Sequence, residues 1–121
     1  MTKRLLLMLC GITLLAFVGC ASTNQNKPTA IKENAILIDV RNPDEFKNGH
    51  LEGAINVPQA DIETIISSIV PDKTAPVYVY CRGGREATMA AEKLKSLGYS
   101  DIHNLGAMKN AQEQLGRPIR Q

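Results

Sequence analysis

Cysteine is scarce in this chain, three in 121 residues, and the three positions exclude more than they allow. Cys10 lies inside an apolar run and is one more apolar residue of it. Cys20 follows that run, and with Cys20 modified, Cys81 is the one thiol left to the body of the chain, so no internal disulfide framework is expected. An excess of charge of one sign is lacking too: 14 basic residues face 12 acidic ones. Removing Lys3 and Arg4 with a leader makes the two equal, which excludes nucleic acid or a general anionic surface as the expected partner. The apolar run Leu5 to Val18 is short of the roughly 20 residues that cross a bilayer as a helix. There is no internal repeat. His103 has no companion at ligand spacing, so no metal site is expected. No Lys-Ser/Thr pair follows the glycines at 83 and 84, which excludes a Walker-type phosphate loop.

What is present begins with an address. Lys3 and Arg4, the apolar run, and the small residues Gly19, Cys20 and Ala21 have the order of a secretory signal. The segment Leu14-Leu15-Ala16-Phe17-Val18-Gly19-Cys20 resembles a bacterial lipoprotein signal, in which the cysteine is acylated and becomes the mature N-terminus. Phe17 stands where that pattern usually has Leu, and Gly19 with Ala21 could instead form an ordinary cleavage site. The expected organisation is a signal peptide over 1–19, a lipid-anchor cysteine and polar spacer over 20–33, and a single domain over 34–121. The product is expected to be exported and periplasmic, meeting the membrane only through lipid on Cys20, since two acyl chains anchor stably where one does not. A monomer is expected.

Within the domain, apolar runs alternate with helical patterns. Ala35 to Val40 predicts a buried strand closed by Asn42-Pro43, Pro43 to Asn48 a short helix, and Gly53 to Val57 a second strand stopped by Pro58. Asp61 is expected to cap a helix to about Val70, with Ile62, Ile65, Ile66 and Ile69 on one face. Val77 to Tyr80 predicts the central strand and Glu86 to Leu97 the next helix, with Gly98 as its C-cap. Asp101 to Leu105 predicts a further strand and Met108 to Leu115 a last helix. Such alternation predicts an α/β fold, a small parallel β-sheet flanked by helices on both faces. Open sheets of this kind bind ligands at the carboxyl ends of their strands, where Cys81 sits.

The run Cys81-Arg82-Gly83-Gly84-Arg85-Glu86 carries the chemistry. A strand ending on cysteine, a turn through two glycines and a helix start together aim backbone N–H groups at the sulfur. Arg82 and Arg85 add positive charge, and an electropositive setting favours the reactive thiolate. Free cysteine at a strand end is more often small apolar filler. Here the Gly-Gly pair has little packing value, yet it allows φ > 0 turns and close backbone approach to an anion. A leftover unpaired thiol in an exported protein also points to a working one.

Three segments together resemble a rhodanese-homology domain: Ile38-Asp39-Val40-Arg41 with Glu45-Phe46, Gly49-His50-Leu51 with Gly53-Ala54-Ile55-Asn56-Val57-Pro58, and the cysteine loop. With the leader and one short domain, the likeness is to the phage-shock-type periplasmic single-domain members. The resemblance implies a rhodanese-like fold, a persulfide-forming cysteine at Cys81, thiosulfate as a small anionic sulfur donor, and cyanide, a thiol or a protein as acceptor. Relatives with phosphatase activity have a longer loop ending in arginine six residues after the cysteine. That position is Ala87 here, which leaves a phosphoryl transition state without its guanidinium clamp. The region before Ala35 is short for the family, so an edge strand is expected to be missing or abbreviated.

On this reading Cys81 is catalytic, and Arg82, Gly83, Gly84, Arg85 and Glu86 bind substrate through their N–H groups and, at the arginines, through charge. No metal or organic cofactor is called for. Asp39 and Arg41 are expected to form a buried pair that shapes the floor of the site. His50 is read as packed structure, because a thiolate already formed needs no base. Two other functions are compatible with the sequence: a persulfide carrier serving a protein partner, and a non-catalytic rhodanese-like binding module.

Overall fold

The structure, a computed structural model, describes residues 31–121. The expected leader, Cys20 and most of the spacer lie outside the described residues. Four strands form a parallel sheet: β1 (Ile36–Asp39), β3 (Ile55–Asn56), β4 (Val77–Cys81) and β5 (Ile102–Ala107), in the order β3-β1-β4-β5. β2 (His50–Leu51) and β6 (Ile119–Arg120) pair antiparallel as a separate ribbon that the sequence reading did not foresee. Four helices fill the connections: α1 (Pro43–Asn48), α2 (Ile62–Ile69), α3 (Arg85–Ser96) and α4 (Met108–Leu115).

Alternation along the strands divides the apolar residues into two cores. Ile38, Val77, Val79 and Cys81 face α2 and α3 and pack with Ile62, Ile66, Ala87, Ala90 and Leu94. Leu37, Tyr78 and Tyr80 face the other way, onto Ala111 and Leu115 of α4 and Leu51 of the ribbon. Both sheet faces are therefore covered, and β4 is buried at every residue.

Local chemistry explains the helix ends. Asn42 caps α1 by accepting the Glu45 N–H at 2.9 Å, with Pro43 at the first helical position, where its missing donor costs nothing. α3 ends in a Schellman turn: Gly98, at φ 95°, donates to the Lys95 carbonyl and Tyr99 to the Leu94 carbonyl. Gly98 thus lies one residue beyond the C-cap, which is Leu97. Asp61 does not cap α2 with its side chain. Residues Gln59–Asp61 form a 3-10 turn, so Asp61 already has helical φ and ψ, and instead its carbonyl accepts the Thr64 hydroxyl at 3.0 Å. The second expected strand shortens to Ile55–Asn56. Its continuation is a connection in which the Val57 N–H still reaches the Asp39 carbonyl at 3.0 Å.

Candidate active site

β4 delivers Cys81 to the carboxyl end of the sheet, directly before α3. The β-branched and aromatic residues of Val77-Tyr78-Val79-Tyr80 suit a strand buried on both faces. Cys81 continues that strand and packs into the core of the α3 face, at 2% exposure. Cys81 nevertheless lines an open cavity of about 240 Å³ together with Glu45, Arg82, Gly83, Arg85 and Glu86. Cys81 is thus a packed residue that also lines the cavity.

The turn after Cys81 places a donor on the sulfur. The Gly84 N–H lies 2.9 Å from Cys81 Sγ. Gly84 is the N-cap of α3 at φ 103°, a conformation that L side chains rarely adopt, and it brings no capping side chain. The first-turn N–H groups of α3 have no partners within the helix. They leave an anion-seeking end beside the sulfur.

The two expected glycines do different work. Gly83 is absent from the positive-φ positions, and a Cβ there would meet nothing within 4 Å. The expectation that both supply left-handed backbone therefore holds for Gly84 alone. The turn needs one φ reversal to pass from strand to helix, and Gly84 makes it.

Further residues brace this loop, and the sequence reading passed over them. The Thr88 hydroxyl donates to the Gly84 carbonyl at 3.1 Å, and the Asn104 amide donates to that hydroxyl at 3.1 Å. Asn104 Oδ1 in turn accepts the Gly106 N–H at 2.9 Å. A bulge makes this possible. Val79 pairs with Asn104 but Tyr80 with Gly106, so Leu105 is an extra residue in β5, and the next residues swing toward Gly84.

Arg82 and Arg85 both border the cavity, but their surroundings differ. Arg82 forms an ion pair with Glu45 at 3.0 Å, its own side chain 76% exposed and that of Glu45 only 26%. Glu45, named only as part of the family resemblance, was not among the expected site residues. The Asn42-Pro43 start signal puts it in the first turn of α1, where a capping role is the ordinary expectation. The structure turns its carboxylate to the cysteine loop instead. The side chains around the cavity thus carry two positive and two negative formal charges.

Asp39 and Arg41 form a bidentate pair that does not line the cavity. Arg41 Nε donates to Asp39 Oδ1 at 3.0 Å and an Arg41 Nη2 donates to Oδ2 at 2.7 Å. The Arg41 N–H donates to Oδ1 at 2.9 Å, and the same Nη2 also donates to the Gly49 carbonyl at 2.6 Å. The hydrogen bonds to Asp39 hold the guanidinium above its ordinary pKa against the opposing effect of burial. Asp39 and Arg41 are consequently placed away from the cavity, because Arg41 folds back across the end of β1 to reach Gly49. Asn56 completes the junction by donating to the carbonyls of Asp39 and Arg41 at 3.0 and 2.9 Å. Beside it, burial pushes the Tyr80 phenol far up, and its oxygen accepts the Leu51 N–H at 3.0 Å.

Neither histidine enters the cavity. His50 stacks on Phe46 at 3.7 Å between ring centroids, with Nδ1 2.8 Å from the Phe46 carbonyl. His103 stacks on Tyr78 at 4.3 Å and lies 2.6 Å from Asp101 Oδ1. Asp101 is also bound by Lys32, the larger cause of its lowered carboxyl pKa.

Comparison with known proteins agrees with this fold. Residues 22–113, more than half of the chain, match the family described as rhodanese-like domain. Thiosulfate sulfurtransferase PspE of Escherichia coli is 41% identical over 73 residues, which are 60% of this chain and 70% of that protein. Thiosulfate sulfurtransferase GlpE of Pseudomonas putida is 32% identical, over 61% of this chain and 66% of that protein. Among solved structures, a rhodanese with anions from E. coli superposes with a TM-score of 0.65 at 36% identity, covering 72% of this chain and 98% of that one.

Proposed function

This chain belongs to the rhodanese-like domain family, and on that premise we propose that it is a sulfurtransferase in which Cys81 carries sulfane sulfur from thiosulfate to a thiophilic acceptor. The observation that carries this reading is the Gly84 N–H on Sγ of Cys81, a residue that lines a cavity bordered by two arginines. Relatives named thiosulfate sulfurtransferase support the donor.

That placement supports the following chemistry. The Cys81 thiolate attacks the outer sulfur of thiosulfate, the S–S bond of the donor breaks, and sulfite leaves with the bonding pair. The enzyme then holds a persulfide whose terminal sulfur bears the negative charge. The open N-terminus of α3 faces that charge with fixed dipoles, which stabilise it without reorganising. In the second half-reaction an acceptor thiolate, or cyanide, attacks the terminal sulfur and the Cys81 thiolate departs. Both halves balance with no electron from elsewhere. Mass spectrometry of the purified protein after thiosulfate exposure tests the first half. A gain of one sulfur atom, lost again on adding cyanide, is expected; an unchanged mass refutes the reading.

We also propose that the domain is exported and tethered through Cys20. Lys3 and Arg4 before the apolar run, and Gly19 before the cysteine, support this. The mature protein should begin at an acylated Cys20 and fractionate with membranes, and Cys20→Ala should release it or block its processing. An unacylated N-terminus beyond Cys20 refutes the anchor and leaves the chemistry of Cys81 intact.

A further inference from the structure

The cavity of a dianion-binding enzyme is expected to be positive, and this one is balanced. Arg82 and Arg85 are matched by Glu45 and Glu86 around the same space. Glu45 is the unusual member, because it comes from a different element and is the more enclosed half of its ion pair, at 26% exposure against 76% for Arg82. Its position is fixed from below: Asn42 holds the Glu45 N–H at 2.9 Å and Pro43 sets the first turn of α1. Arg82 is the exposed half. An exposed pair of this kind contributes little to stability, so Arg82 can exchange Glu45 for another anion without disturbing the fold.

We propose that Glu45 is a specificity-determining residue that makes the Cys81 cavity favour thiols carrying an ammonium group over purely anionic ones. The inference rests on the sulfurtransferase reading and names the class of acceptor for that site. A zwitterionic thiol divides the Arg82–Glu45 pair productively: its carboxylate takes Arg82 and its ammonium takes Glu45. An acceptor with a carboxylate and no ammonium takes Arg82 as well, but leaves the enclosed Glu45 carboxylate unpaired beside a second negative charge. The same repulsion weakens thiosulfate, so the residue trades donor affinity for acceptor discrimination.

The test uses two acceptors that differ by that one group, L-cysteine and 3-mercaptopropionate. Purified protein is loaded with thiosulfate, freed of donor, and the rate of persulfide discharge to each acceptor is followed. Intrinsic differences between the two thiols cancel when the cysteine to 3-mercaptopropionate ratio is compared between variant and wild type. Glu45→Gln should lower the ratio by roughly fivefold, the size expected of one partly screened charge contact. It should also lower the KM for thiosulfate, and Glu45→Lys should reduce the ratio further. In the wild type, added salt should shrink the ratio without any substitution. That arm stands even if a variant fails to fold. A ratio unmoved by either substitution or by salt, in protein that loads sulfur normally, overturns the inference and leaves the sulfurtransferase reading in place. Wild-type protein that gains no sulfur from thiosulfate overturns both.

Discussion

Substituting alanine at Gly83 and at Gly84 should give opposite results, although the two are neighbours and identical in sequence terms. At Gly84 the backbone has φ 103°, and a Cβ would stand 3.7 Å from the Ala107 nitrogen and the Gly106 Cα. That spacing is ordinary contact, so the cost is backbone strain and not collision. Strain of this kind costs about 1 to 3 kcal/mol, offset by about 0.4 to 1 kcal/mol from the stiffer unfolded chain. Gly84→Ala should therefore lose about 1.3 kcal/mol at the centre of a range of about 0 to 2.6, or about 5 to 10 °C in Tm at that central value for a domain of this size. Gly83→Ala meets open space with no φ reversal, and should be neutral or gain up to about 1 kcal/mol. Thermal melts followed by circular dichroism measure the first difference. Sulfur loading measures the second, since only Gly84→Ala moves the N–H that touches Cys81 Sγ. Equal melting temperatures for the two variants, with equal loading, would refute the assignment of the turn and of the donor.

Cys81→Ser should keep its far-ultraviolet circular dichroism while losing sulfur uptake from thiosulfate, because a hydroxyl is a poor nucleophile toward sulfane sulfur; uptake by the serine protein would remove Cys81 from the mechanism. Arg85→Ala should raise the KM for thiosulfate more than Arg82→Ala does, since Glu45 already occupies Arg82; the reverse order in steady-state kinetics would show Arg82 to be the main donor contact. Arg41→Ala leaves the Asp39 carboxylate buried without its partner and should cost about 3 to 5 kcal/mol in a denaturant titration. A loss under about 1 kcal/mol would mean that water replaces the guanidinium.

Much of the architecture is legible because the sheet is covered on both faces. Continuous apolar runs such as Val77 to Tyr80 have one plausible destination in a chain that alternates them with helical patterns. The cysteine loop is legible for a related reason: Gly-Gly between two arginines has no packing purpose. The antiparallel ribbon was not legible, since His50-Leu51 and Ile119-Arg120 are two residues each and meet across a separation of nearly seventy positions. No local pattern encodes such a pairing. Glu45 was hidden by the opposite problem. Its sequence signal, an acidic residue three after Asn42, is already explained by helix capping, and only the tertiary fold brings α1 beside the cysteine loop.

The same fold also separates sulfur transfer from phosphoryl transfer, and does so through the register of one helix. Because α3 starts at Arg85, directly after the Gly84 reversal, the sixth residue after Cys81 is already inside the helix and points to the sheet. Ala87 is fully buried there, among Val79, Ala90 and the other residues of the α3-side core. A guanidinium at that position would lie in apolar packing, away from an anion above Cys81, so a longer loop would be needed before an arginine could close over a phosphoryl group. The short turn from Arg82 to Gly84 leaves the cavity beside Cys81 open. On the proposed mechanism an acceptor must reach a sulfur one bond beyond Cys81 Sγ, and an open cavity is compatible with that access. Loop length, helix register and the small volume of Ala87 are thus one constraint, and each of the three would have to change for the chemistry to change.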